Sequence, residues 1–166
     1  MTIQELDRLL AQLDVPETRY RIDMDLHDRS QRFSSELLKL AMAGIAVVGF
    51  FVASIPEEYR KRVFDNSLLH LLLIGAVVGF AAAVACALWH RFLAGGANFH
   101  HIQFIKLLMI KATNPDPLVE DTLGQDWKLR GVKFHRCHRF LVACALLLLV
   151  SACLLGGAFV TFMIGR

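Results

Sequence analysis

The sequence predicts an all-α polytopic membrane protein: three transmembrane helices plus a set of cytoplasmic amphipathic helices. Three observations lead there. Hydrophobic residues make up 55% of the 166 positions, charged residues only 20%, and mean hydropathy is +0.48. Soluble domains sit near half apolar and a quarter charged, so this chain has too much apolar surface for its polar skin. The charges are also unevenly spread, with no Asp, Glu, Lys or Arg between Asp65 and Arg91 or between Arg139 and Arg166. Each gap can hold a helix that crosses a hydrocarbon core of about 30 Å. This composition excludes a conventional soluble enzyme and an intrinsically disordered chain.

Residues 1–36 form an N-terminal helical segment. Thr2-Ile3-Gln4-Glu5 has the Ser/Thr-x-x-Glu form of a capping box. Ile3, Leu6, Leu9, Leu10 and Leu13 follow at helical spacing, and Pro16 ends or kinks that helix. From Glu17 the chain carries mixed charges without Gly or Pro, which predicts a long helix running into the first span, 37–55. Arg32 and Glu36, four apart, add a weak surface pair. Lys39 lies close enough to the end of that span to snorkel, and Pro56 closes it. The second span is 67–89 and the third 140–163. The first run follows 36 mostly polar residues, so it reads as a permanent helix and not as a cleaved leader.

The connection 92–139 is expected to be helical and cytoplasmic. Gly95 and Gly96 should break the helix after the second span. A short amphipathic helix then sets His100, Gln103 and Lys106 on one face and Phe99, Ile102, Ile105 and Met109 on the other. The apolar face is expected to pack on the N-terminal helix. Asn114-Pro115-Asp116-Pro117 reads as a turn, and 126–139 as a helix leading into the third span.

Orientation follows from the basic flanks. Fourteen Lys and Arg lie on the side holding the N-terminal segment, Lys39 and the connection between the second and third spans. Four, namely Arg60, Lys61, Arg62 and Arg166, lie on the other. This predicts a multi-pass protein of the cell (inner) membrane, with a cytoplasmic N-terminus and the C-terminus outside. Trp89 and Phe92 on the inner side and Tyr59 on the outer fit an aromatic belt.

The sharpest motif is Gly75-x3-Gly79-x3-Ala83-x3-Ala87, a stripe of small residues that lets another backbone approach closely. The third span has a looser version in Cys153, Gly157, Thr161 and Gly165, and the first offers Ile45, Gly49 and Ala53. Packing among the helices of one chain would explain these stripes. Packing between copies is the reading favoured here, because three helices alone enclose no pore. Acidic side chains are missing from the spans, which argues against a proton-coupled transporter or stator. A pore would be lined by Ser, Thr, Cys and small apolar residues and could close by dewetting. His70 reads as interfacial. It cannot share a haem with His90, twenty residues away along one helix.

Lys128, Arg130, Lys133, Arg136 and Arg139 form a basic stretch suited to anionic lipid, or to a nucleotide ligand. His100, His101, His135 and His138 cluster in sequence, but their spacing is not a zinc signature and basic neighbours oppose a cation. Arg130-x4-His135 and Arg21-x5-His27 match the loose spacing of an Arg–His ribonuclease motif. They read instead as a solvated face. No phosphate loop, nucleophile motif, CxxC pair or paired intramembrane carboxylates occur, so catalysis, cofactors, metals and direct nucleic-acid binding are not expected.

The charged run from Arg19 to Leu40 leads straight into a membrane span. A short outer loop, a second span and a cytoplasmic helical segment follow. This layout, over about two thirds of the chain, resembles the SLATT-type small membrane effectors of bacterial conflict systems, and the third span is an addition to their two-span plan. The resemblance implies an oligomeric, pore-forming effector triggered by a cytoplasmic, nucleotide-type signal, and no catalytic residue. The expected function is a small homo-oligomeric channel or membrane-perturbing effector controlled from its cytoplasmic side. The alternative is a non-catalytic accessory subunit of a larger membrane complex.

Overall fold

The computed structural model describes residues 2–16, 18 and 21–164, apart from the side chains of 22–24, 26, 27 and 61–64. Arg19, Gly165 and Arg166, and the side chains of His27, Lys61 and Arg62, therefore lie outside the described residues. Among the described residues there are five α-helices: α1 (Ile3–Gln12), α2 (Arg21–Ser54), α3 (Glu57–Asp65), α4 (Ser67–Thr113) and α5 (Pro117–Ile164). Three of them, α2, α4 and α5, carry stretches long and apolar enough to cross a membrane. The protein is thus all-α and polytopic, as its composition predicts.

The ends of the helices follow local chemistry. Thr2 caps α1, its hydroxyl accepting from the Glu5 amide at 3.3 Å while the Glu5 carboxylate accepts from the Thr2 amide at 2.8 Å. Pro56 starts α3, whose first turn carries Glu57 and Glu58 where negative charge suits the helix dipole. Asn66 then caps α4, its Oδ1 accepting from the amides of Leu68 and Leu69. The Asn-Pro-Asp-Pro turn separates α4 from α5, and Asp116 Oδ1 accepts from the Leu118 amide at 2.9 Å. Helix α3 is an addition to the sequence reading, which left 56–66 as a plain loop.

One expectation is overturned. Gly95 and Gly96 do not break the second helix; α4 runs 47 residues without interruption, and no described glycine has a positive φ. The reason lies in the buried positions. Leu69, Leu73, Ala76, Phe80, Ala83, Ala87, His90, Ala94, Ala97, His101 and Phe104 alternate steps of four and three, a seam with a period of 3.5 residues. Buried seam contacts continue on both sides of the glycine pair and outweigh a propensity cost of about 1 kcal/mol per glycine. Helix α2 shows the same rhythm in Ser34, Leu37, Ala41, Val48 and Phe51, and Ile55 just past its end continues it. In α5, Cys137, Cys144, Ser151 and Ala158 recur every seventh residue.

The chain divides into two compact units, Met1–Arg32 with Arg91–His138, and Phe33–His90 with Arg139–Arg166. In the first, Leu6, Leu107, Ile110 and Val119 form a core, joined by Leu10, Leu13, Leu118 and Leu123. The N-terminal helix does pack on α4, but through a different face from the one expected. Phe99 stays exposed and Ile102, Ile105 and Met109 are only half-buried, because the seam, not the widest apolar arc, turns inward. The Lys106 ammonium donates to the Leu10 carbonyl at 2.8 Å, satisfying an acceptor at the end of α1 that the helix leaves open.

In the second unit, Val48, Phe51, Ile55, Leu69, Leu73, Ala76, Phe80 and Ala158 make one apolar cluster, and Leu37, Ala41, Ala83, Ala87 and Cys144 another. Phe51 packs on Phe159 and edge-on to Phe162, with centroids 5.1 and 5.5 Å away. Gly44 faces the Phe80 ring so closely that a Cβ would stand 2.5 Å from it. No side chain larger than hydrogen fits there without moving that ring.

The capping box generates the first prediction. The backbone hydrogen bond from Thr2, then that from its side chain, holds the Glu5 carboxyl below its ordinary value of 4.5. Its stabilising effect is therefore present above that value and is lost as pH falls through the depressed one. Amide exchange at the start of α1, taken relative to the intrinsic rate at each pH, should lose protection on acidification below pH 4.5. Thr2→Ala should accelerate it at all pH values, at a cost of about 1 kcal/mol. Equal protection in parent and variant would show that the box does not hold the helix.

Candidate functional site

The small-residue stripe of α4 is occupied within the chain. Ala83 and Ala87 lie on the seam with no exposed surface, and Gly75 and Gly79 flank it, half-buried. A Cβ on Gly75 would meet Leu154 Cδ1 at 3.2 Å, and one on Gly79 would collide with the Ser151 hydroxyl. The Cys144 thiol donates to the Ala83 carbonyl at 3.2 Å, and the Ser34 hydroxyl to the Ala87 carbonyl at 3.3 Å. Ser151 itself donates to Leu147 one turn back at 2.6 Å. Helix α5 therefore fills most of the groove and α2 closes its end. This corrects the expectation that copies of the chain meet across it. Tethered helices face each other at a far higher effective concentration than separate chains do.

The secondary positions divide. A Cβ on Gly157 would lie 3.9 Å from Leu72 Cδ1, and Thr161 donates to the Gly157 carbonyl at 2.8 Å. Ile45 packs against the apolar cluster, whereas Cys153 is exposed. Gly49 has open space where a side chain would stand, Ala53 is exposed, and Phe50 beside them is 76% exposed. Of the secondary small positions, Gly49 and Ala53 on α2 and Cys153 on α5 face outward.

The basic stretch of α5 also divides, by helical phase. Asp126, Arg130, Lys133 and Cys137 follow steps of four, three and four, and these are the more buried positions. The Arg130 guanidinium carbon lies 4.8 Å from the Phe104 ring centroid and 4.6 Å from that of Trp127, while Nη1 donates to His101 Nδ1 at 3.0 Å. The two rings are themselves 5.3 Å apart. Lys133 is half-buried, with its ammonium directed to Gly96. Lys128, Arg136 and Arg139 are exposed, as are His135 and His138. The expectation that Arg130 belongs to a solvated basic face is corrected: counting charges in sequence ignores that a helix turns some of them inward.

The four histidines do not converge. His100 Nδ1 lies 3.4 Å from Asp126 Oδ1, His101 pairs with Arg130, and His135 and His138 face outward. Among the described residues no three metal-binding side chains come together. Burial pushes the Cys137 thiol above its ordinary 9.0, which keeps it neutral and unreactive. Sequence reasoning missed the Phe104–Arg130–Trp127 stack. The available signal was the spacing of Trp127 and Arg130, three apart on one helix.

Two substitutions test this geometry. Gly79→Leu should destabilise the single chain by about 1–3 kcal/mol through overpacking against Ser151, whereas Gly124→Leu, at a position with open space around it, should not destabilise it in detergent. Arg130→Lys should cost about 0.5–2 kcal/mol by losing the planar stack, against at most about 0.5 for Lys128→Ala. Equal unfolding temperatures for Arg130→Lys and Lys128→Ala would remove the stack from the list of stabilising contacts. No known protein family, curated protein or solved structure matches the chain.

Proposed function

We propose that this chain is a small homo-oligomeric protein of the inner membrane that acts as a channel or membrane-perturbing effector under control of its cytoplasmic unit, with the N-terminus inside and the C-terminus outside. The observation that carries the reading is that α4 and α5 each contribute to both compact units as one uninterrupted helix. A signal received by one unit then acts on the same helices that build the other. In the core of the second unit Ser34, Cys144 and Ser151 are bonded to backbone carbonyls and His90 is buried at its edge, which leaves few side-chain groups to line a path for water or ions within one copy. Conduction on this reading needs several copies, and the exposed Gly49 and Ala53 supply a face on which they could approach closely. Lys128, Arg136 and Arg139 face solvent and suit anionic lipid, at about 1 kcal/mol per charge near the surface. The layout shared with SLATT-type effectors supports a nucleotide-type trigger and a non-catalytic role.

The filled core equally favours a second reading, a non-catalytic accessory subunit that docks on other membrane proteins. Size in mild detergent separates the two. The channel reading expects a discrete homo-oligomer that releases dye or ions from proteoliposomes, with Gly49→Leu lowering association roughly ten-fold by overpacking. A stable monomer without leakage would select the subunit reading. Reporter fusions at each terminus test the orientation, and a cytoplasmic signal from the C-terminal fusion would overturn it.

A further inference from the structure

Lys133 is placed differently from the other cations of α5 in the first unit. Lys128 and Arg136 are exposed and Arg130 lies on two rings, whereas Lys133 is half-buried and reaches across to α4. Its ammonium stands 3.8 Å from the point where a Cβ on Gly96 would lie, and Gly95 has open space around it. The glycine pair therefore leaves a notch in the surface of α4, with an ammonium at its rim. Phe92 and Gly96 are four apart on one face of α4, and Lys133 and Arg136 are three apart on one face of α5. Along these faces the notch is continued by a ring that is 72% exposed and by a second, exposed cation.

No carboxylate balances this charge. Among the described residues Lys133 has no hydrogen-bond or ion-pair partner. Helix α4 contains no Asp or Glu, and α5 has none beyond Asp126, which is engaged by His100. Asp7 of α1 lines a cleft with Phe99, Gln103 and Lys106, and Asp25 and Asp28 of α2 are exposed. A partly dehydrated ammonium without a counter-charge gains from an anion that can accept its hydrogen bonds.

We infer that the Gly95–Gly96 notch, with Lys133 and Arg136, binds the phosphate of an anionic phospholipid. Basic pockets between membrane helices on the cytoplasmic side suit such headgroups. Counted along α5, Arg136 stands about 6 Å and Lys133 about 10 Å before the charge-free run that opens at Phe140. The headgroup layer adds about 5–8 Å to each side of the hydrocarbon core, within reach of both side chains. A free phosphate would leave Phe92 in water, whereas an acyl chain running from the notch toward that core covers it. The site rests on the function proposed for the chain only in setting this unit at the inner leaflet.

A neutral detergent removes the charged surface and isolates the site. The full chain is titrated with dioleoyl phosphatidylglycerol, with dioleoyl phosphatidylcholine and with inorganic phosphate, and bound adducts are counted by native mass spectrometry. The parent should retain a single phosphatidylglycerol about ten-fold more tightly than phosphatidylcholine. Lys133→Gln should lose about five-fold in that affinity. Gly96→Leu fills the notch and keeps every charge, and should lose at least as much. Lys128→Gln, on another face of α5, should bind as the parent does. Lys133 has no partner in the fold to lose, so its variant reads the site and not stability. Equal retention of both lipids by the parent, equal losses in Lys133→Gln and Lys128→Gln, or unimpaired binding by Gly96→Leu would each overturn the site. Phosphate binding as tightly as the lipid would overturn the lipid as its occupant. None of these readouts depends on orientation, oligomer or conduction, so the site and the channel reading can fail separately.

Discussion

Helices surrounded by lipid gain nothing from hiding apolar side chains from one another, since the lipid tails are equally apolar. What remains is close contact, and the second unit depends on it. Gly79 makes room for Ser151, Gly44 for the Phe80 ring, and the fully buried Ala83 and Ala87 bring their backbone carbonyls within reach of Cys144 and Ser34. The Ser34 hydroxyl and the Cys144 thiol cross between helices and end on main-chain oxygens, so these polar atoms add contacts between backbones. Dispersion between such close surfaces is small per atom pair and large in sum.

The first unit is held by different means. It has a small leucine-rich core of Leu6, Leu107, Ile110 and Val119, and around it charges that serve as structural parts. Lys106 closes the end of α1, Arg130 lies over two adjoining aromatic rings, and Lys111 pairs with Glu120 at 2.7 Å. The last of these is exposed and holds the Glu120 carboxyl below its ordinary range, a contact that adds little to stability. The stacked arginine differs because its flat, weakly hydrated head lies against two rings and is half-buried.

Much of this was legible in the sequence where one residue type has one strong local effect. Thr2 and Glu5 mark the start of α1, the prolines at 115 and 117 the turn between α4 and α5, and the charge-free gaps the apolar runs. The reading failed where two tendencies compete. Glycines at 95 and 96 weaken a helix locally, yet the buried seam on either side carries α4 through them. Stepping by four along Gly75, Gly79, Ala83 and Ala87 found half of the contact line, whereas alternating steps of four and three would have added Ala76 and Phe80. Arg130 and Lys133 looked like members of one basic patch because their phase on α5 had not been compared with that of Lys128 and Arg136.

A seam with so many alanines has a problem of degeneracy. Sliding α5 along α4 by seven residues would put Ala76 where Ala83 stands, or Ala94 where Ala87 stands, so these alanines by themselves distinguish the alignments weakly. The polar rungs remove that freedom. Staggered by one heptad, Arg130 would face Ala94 or Leu108 where His101 now stands, and the half-buried guanidinium would lose that acceptor. Desolvated charge without a partner is among the costlier errors a fold can make. The same histidine that sits uneasily in an alanine seam thereby selects one alignment of α4 on α5 from several that would otherwise be nearly equal.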